Sequence, residues 1–166
     1  MSYPPPIYHG DAGQPSATFR PASTPPQISN PPGNDVHYLA TGESTGGQLG
    51  LFRWDFGPKR SGPDPHFHRA ITESFYILSG SVQVYDGTRW VDTAPGDFLY
   101  VPQGGVHGFK NASGEPASML ILFTPGAPRE EYFEVLAEIG QGRRAPLEGR
   151  ERDLFMDKHD TYWVGD

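Results

Sequence analysis

Two textures divide the hydrophobic and polar positions of this chain, with the boundary near Asp35. Residues 1–34 have no apolar period and hold nine of the eighteen prolines, clustered as Pro4-Pro5-Pro6, Pro25-Pro26 and Pro31-Pro32. Proline fixes φ and lacks an N–H, so this stretch reads as an extended proline-rich N-terminal arm, anchored at most through Tyr3, Ile7, Tyr8 and Phe19. From residue 35 the pattern changes to short apolar runs cut by Gly, Pro, Asn and Asp. Strands are predicted over 36–40, 48–57, 71–78, 81–86, 89–92, 97–101, 108–111 and 118–124. Turn pairs such as Ser79-Gly80, Asp86-Gly87, Pro95-Gly96 and Ser113-Gly114 separate them. Short strands at such spacing form a sandwich or barrel rather than a parallel sheet. One helix is predicted, over 128–139, with Pro128 in its first turn and Glu130 and Glu131 where the helix dipole favours negative charge. Phe133, Leu136, Ala137 and Gly140 recur at helical spacing and should face the barrel. The expected regions are therefore an arm over 1–34, a β-barrel over 35–125, and a C-terminal helix and tail over 126–166. The polar tail, with its scattered aromatics, should dock on the body.

Composition sharpens this in three places. Gly 21 and Pro 18 are high, as expected of an all-β domain rich in turns. A net charge of −7, with basic residues scattered along the chain, excludes a nucleic-acid partner. The absence of cysteine excludes disulfides and thiolate metal sites. No apolar run approaches the roughly 20 residues that span a bilayer, and no signal-peptide pattern opens the chain, so a cytoplasmic protein off the membrane is expected.

The chemistry concentrates between Gly62 and Asn111. His66-Phe67-His68 is followed by Glu73 and Gly80, and later come Gly96, Pro102, Gly104, His107 and Asn111. Side chains alternate along a strand, so His66 and His68 point the same way. Glu73 shares a face with Phe75 and Ile77, and His107 with Phe109 and Asn111. If the Phe75 face lines a barrel, three imidazoles and a carboxylate converge inside it. Any one of these histidines alone reads as an ordinary hydrogen-bonded residue; the four together read as ligands of one divalent transition metal, Fe, Ni, Mn, Co, Cu or Zn. His37 and His159 stand outside any motif and are expected to be non-ligands. Arg53, Lys59, Arg60 and Arg69 read as solvated charges that could meet an acidic substrate near the barrel mouth. Phe52, Trp54, Tyr76, Phe98, Tyr100 and Phe109 divide between core and a candidate aromatic pocket.

These residues resemble the two motifs of the cupins. The first, Gly-x5-His-x-His-x(3,4)-Glu-x6-Gly, is matched by His66, His68, Glu73 and Gly80, but its leading glycine is expected at Arg60 and this chain has Gly62. The second, Gly-x5-Pro-x-Gly-x2-His-x3-Asn, is matched throughout by Gly96, Pro102, Gly104, His107 and Asn111. The resemblance covers roughly residues 35–125 and implies a double-stranded β-helix (jelly-roll) barrel binding one metal through His66, His68, Glu73 and His107. The run Phe123-Thr124-Pro125-Gly126 before a helix containing Glu131-Tyr132-Phe133 also resembles quercetin dioxygenase-like cupins. That likeness implies a metal-dependent dioxygenase acting on an aromatic or enolic small molecule. Glu73 would both hold the ion and accept the substrate's hydroxyl proton, a role that asks for a carboxyl pKa raised toward working pH. Two alternatives stay open: a non-redox isomerase, cyclase or lyase, and a small-molecule-binding or sensor barrel without turnover. Outward apolar positions allow a homodimer.

Overall fold

The computed structural model describes residues 2–165. Eleven strands and two helices follow in the order β1 (Ile28–Ser29), β2 (Asp35–Ala40), β3 (Gly50–Phe56), β4 (His66–Phe67), β5 (Thr72–Ser79), β6 (Gln83–Tyr85), β7 (Trp90–Asp92), β8 (Phe98–Val101), β9 (Gly108–Lys110), β10 (Ala117–Thr124), α1 (Glu130–Gly140), α2 (Gly149–Lys158) and β11 (Tyr162–Trp163). They build a six-stranded sheet ordered β1-β2-β3-β10-β5-β8, a three-stranded sheet β7-β6-β9 and a two-stranded ribbon β11-β4. Every pairing is antiparallel. This is the jelly-roll barrel implied by the cupin resemblance, and each strand predicted from the apolar pattern has its counterpart.

Alternation along β10 sets the core. Ala117, Met119, Ile121 and Phe123 are buried while their neighbours are only half-covered, the period-2 signature of a strand with one face inward. Register then places Phe123 opposite Glu73 on β5 and Ile121 opposite both Phe75 and Phe52. Phe133 of α1 closes this end of the barrel, edge-on to Phe52 at 5.2 Å and to Trp54 at 5.2 Å between ring centroids.

Three features depart from the sequence expectation. A second helix, α2, forms over a strongly charged run, GRERDLFMDK, with no apolar stripe to announce it. Good helix formers and the packing of Phe155 and Met156 against the core sustain it. Tyr76, Phe98 and Tyr100 do not line the cavity that has His66 and Glu73 in its wall: they lie on the outward face of β5 and β8, and Phe98 is 64% exposed. Finally, α1 buries Tyr132 and Val135 as well as Phe133, because α2 covers its second flank, where Tyr132 stacks on Phe155.

The displaced glycine of the first motif has a physical reason. Gly62 sits at φ +133°, and a Cβ there would collide with the backbone carbonyl of Phe109 on the neighbouring segment. The strands carrying the two motifs approach each other at residue 62, not at residue 60. Gly62→Ala is expected to lower stability by about 2 kcal/mol or more, from backbone strain and the displaced β9 segment. Gly13→Ala, where a Cβ meets nothing within 4 Å, should be close to neutral. Urea midpoints of the two variants check this, and equal midpoints would refute it.

Candidate metal centre

Backbone pairing brings the two motifs together before any side chain is considered. His66 and His107 exchange two backbone hydrogen bonds, each 2.8 Å, and Ser61 and Asn111 exchange another pair at 3.3 and 2.9 Å. Asn111, fully buried, fastens the end of this ladder: its Nδ2 donates to the carbonyls of Gly57 and Glu115, and its Oδ1 accepts from Ser113. His68 lies just past β4, where its carbonyl accepts from the Gly104 N–H at 2.7 Å. Glu73 enters from β5 between Phe123 and Val101.

The result is one buried cluster of His66, His68, Glu73 and His107, whose ligand atoms all lie within 4.8 Å of one another. In each imidazole, Nδ1 faces a backbone carbonyl: Asp64 for His66 at 2.9 Å, Asp160 for His68 at 2.5 Å and Gly105 for His107 at 2.9 Å. A carbonyl can only accept, so Nδ1 carries the proton and Nε2 is the nitrogen left to coordinate. His68 and His107 then bring Nε2 to 3.0 and 2.7 Å from Glu73 Oε2. Two lone pairs do not meet a carboxylate oxygen at that range without a positive centre between them, supplied by a proton or a metal ion. Three imidazoles and one carboxylate fit a divalent first-row transition ion.

The electrostatics follow from burial. Desolvation, reinforced by the neighbouring His107, pushes the His66 pKa down to about 3, so this imidazole stays neutral and available to a metal. Burial also opposes charge on His107, but the Glu73 carboxylate outweighs it and the pKa rises. Burial alone would raise Glu73; hydrogen bonds from His107 and His68 reverse this and hold its carboxyl well below the usual range. That direction is opposite to the one a general base asks for.

The C-terminal segment, expected only to dock, completes the centre. β11 pairs with β4, setting Trp163 opposite His66 with ring centroids 5.3 Å apart. Asp160, at φ +50°, turns its carbonyl to His68 while its carboxylate accepts from the Arg69 and Ala70 N–H groups at 2.9 and 2.7 Å. No sequence signal marks this link, since the acceptor is a backbone atom.

Beside the cluster lies a cavity of about 540 Å³ with His66 and Glu73 in its wall. Trp54, Phe109 and Trp163 supply much of its apolar surface, and Phe133, Leu136, Ala137 and Gly140 of α1 line it as one stripe. Lys59 and Arg60 stand exposed at its rim. Arg53 is instead tied to Asp55 at 3.0 Å and to His37 at 2.7 Å, and Arg69 lies over the Tyr162 ring at 4.0 Å. Neither His37 nor His159 joins a ligand cluster among the described residues. Among the wall residues that sequence reasoning passed over, the charged one is Arg129, almost wholly buried just before α1.

His66→Ala and His107→Ala are each expected to strip most of the metal from a barrel that stays folded. A chain ending at Lys158 lacks the Asp160 carbonyl and should bind metal about 10–100-fold more weakly, the usual cost of losing an acceptor behind a ligand. Competition with a chromogenic chelator, with circular dichroism as the fold control, reads both effects. Unchanged affinity in the shortened chain would refute the role given to Asp160.

Comparison with known proteins agrees with this geometry. A cupin domain model matches residues 52–123. A quercetin 2,3-dioxygenase from Bacillus subtilis is 31% identical over 117 residues, or 70% of this chain. The chain spans only about a third of that enzyme's length, 34%. Among solved structures, KdgF from Halomonas sp. superposes with a TM-score of 0.55 at 22% identity, covering 66% of this chain and 94% of its own. A protein described as a predicted oxalate decarboxylase, from Thermotoga maritima, superposes with a TM-score of 0.54 at 23% identity, covering 64% and 97%. At those identities the likeness is one of fold. Both motifs stand on that fold with their four ligand residues gathered into one cluster, and the chain belongs to the cupin superfamily.

Proposed function

We propose that this protein is a metal-dependent dioxygenase acting on an aromatic or enolic small molecule. The observation that carries the reading is the aromatic-walled cavity, which places His66 and Glu73 directly against the space a substrate would fill. Similarity to a quercetin 2,3-dioxygenase supports it. His66, His68, His107 and Glu73 would hold the ion. When bound, the metal supplies Lewis acidity toward an enolic or phenolic oxygen and, if redox-active, electron exchange with dioxygen.

The chain's own residues do the rest. Trp54, Phe109 and Trp163 exclude water and give a flat ring a surface to lie on. A ring held there presents its hydroxyl to Glu73, which turns a chance encounter into a fixed approach. Both imidazole contacts fall on Glu73 Oε2, which leaves Oε1 as the oxygen to receive the substrate's proton. The hydrogen bonds from His107 and His68 keep the carboxylate ionised, as a proton acceptor must be.

Glu73→Gln keeps the size and one ligand oxygen but removes the base. With metal retained, turnover should fall by a factor on the order of 10²–10⁴, the usual contribution of general base catalysis. Oxygen-electrode traces with quercetin and simpler enediols, beside metal analysis of the same samples, measure it. A fully loaded Glu73→Gln protein working at the parental rate would refute the base role. Conversion of such substrates by the parent protein without oxygen uptake would replace the dioxygenase with a non-redox enzyme.

A further inference from the structure

Arg129 stands at the N-cap of α1, 3% exposed, in the wall of the cavity shared by His66 and Glu73. A buried guanidinium is normally held against a carboxylate, because it has given up its hydration and needs a counter-charge. Here, among the described residues, no carboxylate lies within ion-pair distance of it. Its Nη1 donates to the His159 carbonyl at 2.5 Å and to Thr161 Oγ1 at 3.4 Å, both uncharged acceptors. The Tyr132 ring lies 4.1 Å from its carbon centre, and the Tyr132 side chain offers a π face and a hydrogen-bonding hydroxyl, neither of them charged. Its Nε–H is buried and has no acceptor. The carboxylates whose field reaches it, Glu73 and Asp160, are engaged elsewhere, by the imidazoles and by the Arg69 and Ala70 amides. A cation without a carboxylate partner thus stands in the wall of a space of about 540 Å³ between apolar walls, well inside the usual range for small ligands. Lys59 and Arg60 at the rim carry the same sign of charge, but water already solvates them.

We propose that Arg129 binds an anionic group of the substrate, so that the cavity accepts a small organic acid. Its carboxylate meets the guanidinium, its flat apolar body lies against Trp54, Phe109 and Trp163, and its far end reaches His66 and Glu73. The inference rests on reading this cavity as the substrate site, and it narrows the substrate from any aromatic or enolic molecule to an ionised one. Arginine suits the task because its planar fork of donors matches a carboxylate and stays charged in an apolar wall.

The test compares benzoate with its neutral analogue benzamide at neutral pH, by calorimetric titration of zinc-loaded and chelator-stripped protein. Benzoate is expected to bind about tenfold more tightly or better, the scale of one charge-assisted hydrogen bond, with or without zinc. In Arg129→Gln the two affinities should converge while metal content is unchanged, and Arg129→Lys should recover part of the preference. A preference that disappears with zinc would belong to the ion and overturn the proposal, as would equal affinities in the parent protein. A purely structural Arg129 predicts that Arg129→Gln lowers the melting temperature and weakens both probes alike, leaving their ratio intact, which would also overturn it. Should the Gln variant fail to fold, the zinc-free ratio of the parent decides. None of these measurements involves dioxygen, so the carboxylate site and the dioxygenase reading can fail separately.

Discussion

Everything in this site depends on where three Nδ1 protons go. A free imidazole chooses between two tautomers and rotates about two bonds, and three such rings would rarely present one nitrogen each to a common point. Here a backbone carbonyl fixes each ring. For His66 and His107 the acceptor belongs to the residue two positions earlier, Asp64 and Gly105, so the same local turn is used twice. The reciprocal backbone pairing of those two histidines then sets their rings 4.4 Å apart. Orientation is settled by main-chain geometry, and the side chains have little left to search.

Charge balance connects the cluster to the cavity. Glu73 is the only carboxylate in the cluster, and it gathers with three imidazoles and shares the cavity wall with the Arg129 guanidinium. One carboxylate cannot neutralise both a divalent ion and an arginine in surroundings that water scarcely reaches. With an ion held there, as proposed, the interior would carry net positive charge, although the whole protein carries −7. The acidic exterior and the cationic interior act at different ranges. Screening by salt within about 10 Å removes the first from a ligand's view once it is inside.

The barrel and the cluster of four candidate ligand residues were legible in the sequence for a specific reason. Strand alternation and ligand spacing are both written in side-chain types, so Phe75, Ile77, Met119 and Ile121 announce an inward face and His66, His68, Glu73 and His107 announce a donor set. What stayed hidden is what side-chain types do not encode. Arg129 follows a proline at a helix start and looks like any surface arginine; only the docking of α2 and β11 over it creates its burial. Asp160 serves through its carbonyl oxygen, which every residue has. Tyr76, Phe98 and Tyr100 misled in the other direction: they are large and apolar enough for a pocket, yet they alternate outward. α2 went unforeseen because a helix rich in charge has no stripe to detect.

The acceptor for His68 lies 92 residues further along the chain. Apart from β4, no strand from β2 to β10 pairs with the C-terminal segment, so that part of the barrel can close without Asp160. At that stage the barrel holds its three imidazoles and its carboxylate, but the ring of His68 is still free to turn. That ring is therefore fixed only when the C-terminal segment has folded back over β4. Docking of the tail and orientation of the candidate ligand set are one event, not two.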